Sequence, residues 1–422
     1  MTAVEITGIA NSGAGVGRLP DGRVTFVQRT AVGDRVEVRV VEEKARWTRA
    51  ELVRVLAPGP GRREAPCPHY DRCGGCTLEH LEYAHQLEAK AQVAADALQR
   101  IGGLDVAVPD IEASPRELRY RNRVTFTLRR APGGVVAGFH ALEEPDQLVD
   151  VSGACLLPEE AIARAWADLR SGWGPDARLL PSGEELRLTL RSSRDGVVAL
   201  VVDGGYAPGR PGELLEAVAG LVAVWHRPEA ASAYRLLAGE DVLRDHWSGD
   251  EVELSGDVFT QVNRSAAEKL EAHVMERVLA AGPARVLDAY SGVGVYTRRL
   301  EQAGVDVAAI EAHPRAVAEA RRAAPASMVL EGTVEDRLGE GLPTDVAILN
   351  PPRAGVGQEV VDRLAAEGPD RVVYVSCDPA TLARDLKRLG GSYEVVGVRC
   401  FDLFPQTAHV ETVVELERCG TT

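Results

Sequence analysis

From Gly256 onward, short apolar runs alternate with helix-like segments, and this alternation limits the possible folds more than any other feature of the chain. The runs are Arg285-Val-Leu-Asp288, Val305-Asp-Val-Ala-Ala-Ile310, Asp345-Val-Ala-Ile-Leu349 and Val372-Val-Tyr-Val375. Strands so continuously apolar need cover on both faces, which is the condition of a parallel sheet wrapped by crossover helices. Right-handed crossovers then bring the loops that follow the strands to one edge of the sheet, where ligands bind.

Three of those loops carry chemistry. Asp288-Ala-Tyr-Ser-Gly292-Val-Gly294 reads as a strand end, a glycine loop and a helix start, which lets the backbone approach a ligand closely. Glu311 ends the next strand, 23 positions after Asp288, where a carboxylate can accept both hydroxyls of a ribose. Gly-x-Gly alone also fits a dinucleotide. The acidic Asp288 before the loop and the rigid Asn350-Pro-Pro-Arg353 turn favour S-adenosylmethionine. The third loop holds Cys377, between the apolar run Arg371–Ser376 and a helix-like Pro-Ala-Thr-Leu-Ala-Arg. A thiol at the carboxyl end of a strand, beside a helix N-terminus, can be held partly as thiolate and act as a nucleophile.

The chain has 422 residues, enough for several cores, and is read as three domains: 1–57, 58–255 and 256–422. The first alternates polar and apolar residues between glycine turns, as in Arg35-Val-Glu-Val-Arg-Val-Val41, and predicts about five strands of a small β-barrel of oligonucleotide-binding type. It also resembles the TRAM domain carried by several RNA-modifying enzymes. After the Pro58-Gly-Pro-Gly61 linker comes Cys67-x5-Cys73-x2-Cys76, then a helix expected over about Leu78 to Arg100. Residues from Ile111 to about Ser255 mix strands with polar turns and predict a central α+β domain. With the distant Cys155, the cysteines offer four thiolates, which suit a tetrahedral zinc ion or a [4Fe-4S] cluster. Cys400 and Cys419 have no partner motif.

A net charge of -15 argues against a general nucleic-acid binder, since polyanion affinity comes largely from Lys and Arg. The charge is uneven, though. Ile111–Arg130 holds six Arg against two Glu, a local +4. There, Glu117-Leu-Arg-Tyr120-Arg-Asn-Arg123 interleaves Arg with Tyr as an RNA-contacting segment would, the ring stacking on an exposed base. An odd count of seven cysteines, with no signal-like N-terminus, leads us to expect a reducing cytoplasm, and no apolar run approaches the length of a membrane span.

Five motifs in order make the chain resemble the RNA uracil-C5-methyltransferase family, which includes tRNA T-loop and 23S rRNA enzymes. They are Phe259-Thr-Gln-Val-Asn263, Asp288-Ala-Tyr-Ser-Gly-Val-Gly294, Asn350-Pro-Pro-Arg-Ala-Gly355, Val375-Ser-Cys-Asp-Pro-Ala-Thr-Leu382 and His409-Val-Glu-Thr-Val413. The resemblance spans nearly the whole chain. It implies a Rossmann-like class I methyltransferase domain, Cys377 as the thiolate that attacks uracil C6, and Glu411 as the base that removes the C5 proton. It further implies that Gln261, Tyr290, Glu311 and Asn350 contact S-adenosylmethionine. Cys67, Cys73, Cys76 and Cys155 would hold a [4Fe-4S] cluster. The expected substrate is RNA, 23S rRNA before tRNA, with the target uridine single-stranded or flipped from its stack. The chain departs from the family at Asn350, where Asp is usual, at Tyr290 for Phe, and at Val295 for an occasional Asn.

Overall fold

The computed structural model describes residues 1–247, 249–256 and 258–420. It divides the chain into two compact units. One holds Met1–Pro66, Cys76–Glu117 and the chain from Lys269 onward; the other holds Cys67–Gly75 and Leu118–Glu268.

In the first unit, strands Thr2–Ile9, Gly15–Arg18, Val24–Val27, Arg35–Glu43 and Trp47–Ala57 close into a barrel. Closure pairs every strand on both sides and leaves no open edge. The alternation seen in the sequence turns Val4, Ile6, Val27, Val36, Val38 and Ala50 into its core. The same unit contains an eight-stranded sheet. Its parallel part runs Met328–Glu331, Asp306–Glu311, Arg285–Ala289, Val346–Leu349, Arg371–Ser376. Strand Glu411–Arg418 then adds antiparallel, followed by Tyr393–Phe401 and the short Ile111–Glu112. Leu287, Ala289, Ile310, Leu349, Tyr374 and Val414 are buried among helix residues such as Val360, Leu364, Leu382 and Leu386. This is the doubly wound arrangement that the apolar runs require.

The helix after the cysteines begins at Tyr83, five residues later than its composition predicts, and runs to Ala97 before a π-turn over Leu98–Gly102. The delay has a tertiary cause. The Glu79 and His80 carbonyls accept from Arg63, from its Nε at 3.0 Å and its backbone N–H at 2.8 Å, and Glu82 N–H donates to the Gly61 carbonyl at 2.7 Å, so the groups that would close the first turns of a helix from Leu78 are bonded elsewhere. The helix also buries a charge: Lys90 meets Asp402 at 2.6 Å, and both are essentially inaccessible.

The second unit is a seven-stranded sheet in the order Arg235–Gly239, Leu221–Arg227, Val198–Asp203, Glu185–Ser192, Arg123–Ala131, Gly134–His140, Leu148–Asp150, with helices Glu160–Gly172 and Pro211–Ala217. Phe126 and Trp166 stack in its core with ring centroids 4.0 Å apart. The expected base-stacking Tyr120 is only 2 % exposed, so its ring has no face to offer a base. Arg119 donates to the Cys155 carbonyl at 2.7 Å, and the Arg121 guanidinium lies 5.7 Å from the Tyr120 ring centroid. Arg119 and Arg121 thus make contacts within the unit while each stays partly exposed.

Arg264 shows the same economy. Its nearly buried guanidinium bonds Glu159 at 2.7 Å, Asp245 at 3.0 Å and the Ser192 carbonyl. Removing one partner of such a group strands the others in low dielectric, at a cost on the order of 3–5 kcal/mol. Arg264→Met should therefore lower the midpoint of urea unfolding sharply. A midpoint equal to that of the parent protein would show that the network contributes nothing net.

Candidate active site

Strand register assembles the site. Ala289 pairs with both Ile310 and Leu349, and Leu349 pairs with Tyr374, all in parallel. The strands therefore end in step, and Tyr290, Glu311, Asn350 and Cys377 leave the sheet along its carboxyl edge. Strand Glu411–Arg418 runs the other way, with Ser376 opposite Thr412. One ladder step further, Glu411 enters where Cys377 leaves. Two residues 34 positions apart thus become neighbours through pairing alone.

The glycine loop turns through left-handed backbone at Tyr290, Gly292 and Gly294, with φ of 63°, 57° and 78°. A Cβ at Gly292 would meet nothing within 4 Å, so the loop offers bare backbone to a ligand. Glu311 is fixed beside it. Its Oε2 accepts from Gly292 N–H at 2.9 Å and its Oε1 from His313 N–H at 2.7 Å, with lone pairs left on both oxygens. Asp288 lies beneath the loop and is 1 % exposed. Its Oδ2 accepts from Thr297 N–H at 3.1 Å and from the Thr297 hydroxyl at 2.6 Å, which ties the loop to the helix Val295–Gln302. Burial pushes the Asp288 carboxyl up to about 7, against the pull of the Thr297 bonds and with some help from the Glu311 charge.

Cys377 sits between strand Arg371–Ser376 and helix Pro379–Leu389, whose N-cap Asp378 accepts from Thr381 N–H at 2.8 Å. The loop Asn350–Val356 is fastened to that helix. Asp385, fully buried, accepts from the Tyr374 hydroxyl at 2.9 Å and from Val356 N–H at 3.0 Å, and Arg384 donates to the Ala354 carbonyl at 2.7 Å. Gly355 is obligatory there: its φ is 77°, and a Cβ would stand 2.2 Å from the Asp385 carboxylate. This clamp holds Arg353 near enough to Cys377 to favour its thiolate. The Arg353 Nη2 lies 3.4 Å from His409 Nε2, and the His409 ring meets Phe404 edge-on at 5.9 Å.

The electrostatics differ from what the sequence led us to expect of the thiol. Burial, with the Glu411 charge second, pushes Cys377 up to about 11, and Arg353 pulls it back only in part. Glu411 is 3 % exposed, and burial lifts its carboxyl to about 7 against the pull of Arg353. The helix N-terminus alone does not hold a thiolate here. Thiol and carboxyl oppose each other's ionisation, and Arg353 favours both anions. Arg353 stood in plain view within Asn350-Pro-Pro-Arg353, but nothing in the sequence indicated which way its side chain would reach.

Gln261 belongs to the second unit, where its carbonyl accepts from the Asn122 side-chain amide at 3.0 Å. In the same unit Cys155 is buried and its thiol is pushed up to about 12, chiefly by burial and also by Cys67 and Cys73. Gly75 N–H lies 3.4 Å from Cys73 Sγ. Four cysteine thiols are suitable donors for a metal or cluster, but among the described residues no group of three or more His, Cys, Asp or Glu is gathered to hold a metal ion. None of the described helices is long and apolar enough to cross a membrane.

Comparison with known proteins agrees with this geometry. The profile of the family described as tRNA (uracil-5-)-methyltransferase matches residues 341–419, and that of the TRAM domain matches residues 2–53. A protein of Gloeobacter violaceus named as an RNA methyltransferase is 37 % identical, covering 98 % of this chain and 96 % of its own length. One of Synechocystis, named in the same way, is 33 % identical over 98 % of this chain and 94 % of its own. Among solved structures, the tRNA (uracil-54, C5)-methyltransferase of Pyrococcus abyssi, in complex with S-adenosyl-L-homocysteine, is similar with a TM-score of 0.74 at 26 % identity, over 98 % of this chain and all of that one.

The opposed charges predict opposite effects on the thiol. Each unit of thiol pKa changes the thiolate fraction roughly tenfold at pH 8. Iodoacetamide labelling of Cys377, read by peptide mass spectrometry, should slow several-fold in Arg353→Gln and quicken in Glu411→Gln; equal rates in all three proteins would contradict the electrostatics. Stability has a sign as well. Because the folded Glu411 sits at about 7 rather than 4.5, its contribution is full in acid and lost as pH rises through 7. Glu411→Gln should therefore raise the melting temperature at pH 8 relative to the parent and leave it nearly unchanged at pH 4.

Proposed function

The chain belongs to the RNA uracil-5-methyltransferase family, and from that premise we propose that it methylates C5 of a uridine in structured RNA with Cys377 as nucleophile and Glu411 as base. The observation that carries the reading is the adjacency of a half-buried thiol and a buried carboxyl at the carboxyl edge of the sheet, with the Arg353 charge acting on both.

Uracil C5 is a poor nucleophile. Addition of the Cys377 thiolate at C6 turns the ring into an enolate, and C5 then takes the methyl group that S-adenosylmethionine supplies. Glu411 accepts the C5 proton, the electrons of that C–H bond re-form the C5–C6 double bond, and the bond from C6 to sulfur breaks. Sulfur leaves as thiolate, ready for another cycle. Splitting a hard step into easier ones is the advantage of covalent catalysis. A base at about 7 suits a proton transfer near neutrality. Arg353 offsets the cost of the half-buried thiolate and is free to favour the Glu411 carboxylate once sulfur is bound to carbon.

Tyr290, Glu311, Asn350 and Gln261 would hold the methyl donor, supported by the bare Gly292 backbone and by the fixed Glu311 carboxylate. Asn350 accepts through its carbonyl and brings no negative charge. Cys67, Cys73, Cys76 and Cys155 would hold a [4Fe-4S] cluster. Support comes from the thiol donor set and from the high cost of ionising Cys155 in bare protein, which cluster iron would offset. The cluster would shape the fold, since methyl transfer needs no redox step.

For the RNA, the sequence favours 23S rRNA and a reducing cytoplasmic setting. A second reading, tRNA, is favoured by the similarity to the Pyrococcus abyssi enzyme.

Transcripts of both RNAs carrying tritium at uracil C5 test the reading. With S-adenosylmethionine, one of them should release tritium to water in step with methylation, and Cys377→Ala should abolish both. Methylation without tritium release, or an active Cys377→Ala protein, would overturn it and point to an N-methylating enzyme.

A further inference from the structure

We propose that Gln406 and Gln86 are positioning residues for Glu411, forming a buried latch that sets the direction in which the base enters the site. The proposal rests on the reading of Glu411 as the base.

Glu411 opens its strand, and the ladder that would orient it begins only there, at its pairing with Phe401. The residues between, Asp402 to Val410, form a loop outside the strands, which meets one at its start, where Asp402 N–H donates to the Glu112 carbonyl at 2.9 Å. What fixes this loop therefore fixes the base. Gln406 is at its centre, 0 % exposed and at a φ of 70°. A long side chain keeps left-handed backbone only where its surroundings over-determine it.

They do so here, because every polar atom of Gln406 is used. Its carbonyl accepts from Thr77 and Leu78 N–H, and its own N–H donates to Gln86 Oε1 at 2.9 Å. Its Oε1 accepts from Gln86 Nε2 at 2.9 Å and Arg63 Nη2 at 3.1 Å, and its Nε2 donates to the Glu117 carbonyl at 3.2 Å. Gln86 is itself fully buried and adds a bond to the Leu81 carbonyl at 3.0 Å. The two glutamines thus exchange a reciprocal pair of hydrogen bonds between helix Tyr83–Ala97 and the loop. Two residues further on, Ala408 N–H donates to the Thr77 hydroxyl at 3.1 Å. From there only His409 and Val410 separate the latch from the base.

A base must lie within hydrogen-bond reach of its proton, and small misplacements are costly in rate. Thiol addition and methyl transfer do not use Glu411. Loosening the latch should spare those steps and slow the release that Glu411 drives.

The test uses the full-length protein, unmodified transcripts of 23S rRNA and of tRNA, and S-adenosylmethionine tritiated in its methyl group. In Gln86→Leu, affinity for S-adenosylmethionine and the rate of forming labelled, denaturation-resistant protein–RNA adduct should match the parent within about twofold, while adduct decay slows roughly ten- to a hundredfold. Labelled adduct then accumulates, which a general loss of stability would not produce. Gln406→Gly keeps the backbone bonds, suits the left-handed conformation and deletes the side-chain bonds; it decides the matter if Gln86→Leu does not fold. Glu411→Gln is run beside them. If it traps adduct and the latch variants do not, the latch proposal alone falls. If Glu411→Gln traps none, the assignment of the base falls and takes this proposal with it.

Discussion

A half-buried thiol and a buried carboxyl at adjoining positions of one sheet, with one guanidinium charge acting on both, form the constraint that organises the rest of this structure. Neither group ionises readily in such a place: burial puts Cys377 at about 11 and Glu411 at about 7. Arg353 is the charge that favours both anions, and much of the surrounding structure serves to hold it there. Asp385, Tyr374, Arg384 and Gly355 clamp its loop to the helix after Cys377. The cost of burial is useful. A carboxyl near neutrality is a better proton acceptor for turnover than one at its ordinary value, and a thiol ionised only when needed is protected from side reactions.

The fold and half of the site could be read from the sequence. Uniformly apolar runs specify a parallel sheet, and a parallel sheet delivers the residues after its strands to one edge, so Tyr290, Glu311, Asn350 and Cys377 were bound to share it. The pairing of Cys377 with Glu411 was different. It depends on an antiparallel register that no periodicity encodes, and only the resemblance to a family brought the two residues together. Arg353 was missed as a role because a side chain's direction is decided by tertiary bonds around its loop.

Two expectations, a base-stacking Tyr120 and a helix from Leu78, failed for one physical reason. The segment Arg119–Arg123 has the composition of an RNA surface, and the start of the helix after the cysteines has the composition of a helix. In both places tertiary contacts outweigh local preference: the Tyr120 ring is buried with Arg121 against it, and Arg63 takes the Glu79 and His80 carbonyls while Glu82 N–H goes to Gly61. Buried polar links recur throughout, in Lys90 with Asp402 and in Arg264 with Glu159 and Asp245. Each loses hydration to form, and each fixes a loop or helix that apolar packing would leave free to slide.

The most direct measurement of the central claim uses RNA in which uridine is replaced by 5-fluorouridine. Fluorine at C5 leaves the base no proton to remove, so the reaction must stop after methyl transfer with sulfur still bound to C6. Incubated with S-adenosylmethionine, the protein should form a stable, methylated covalent complex whose cross-linked peptide contains Cys377. Release of free methylated RNA, or a cross-link at any other residue, would contradict the assignment of this thiol as the nucleophile.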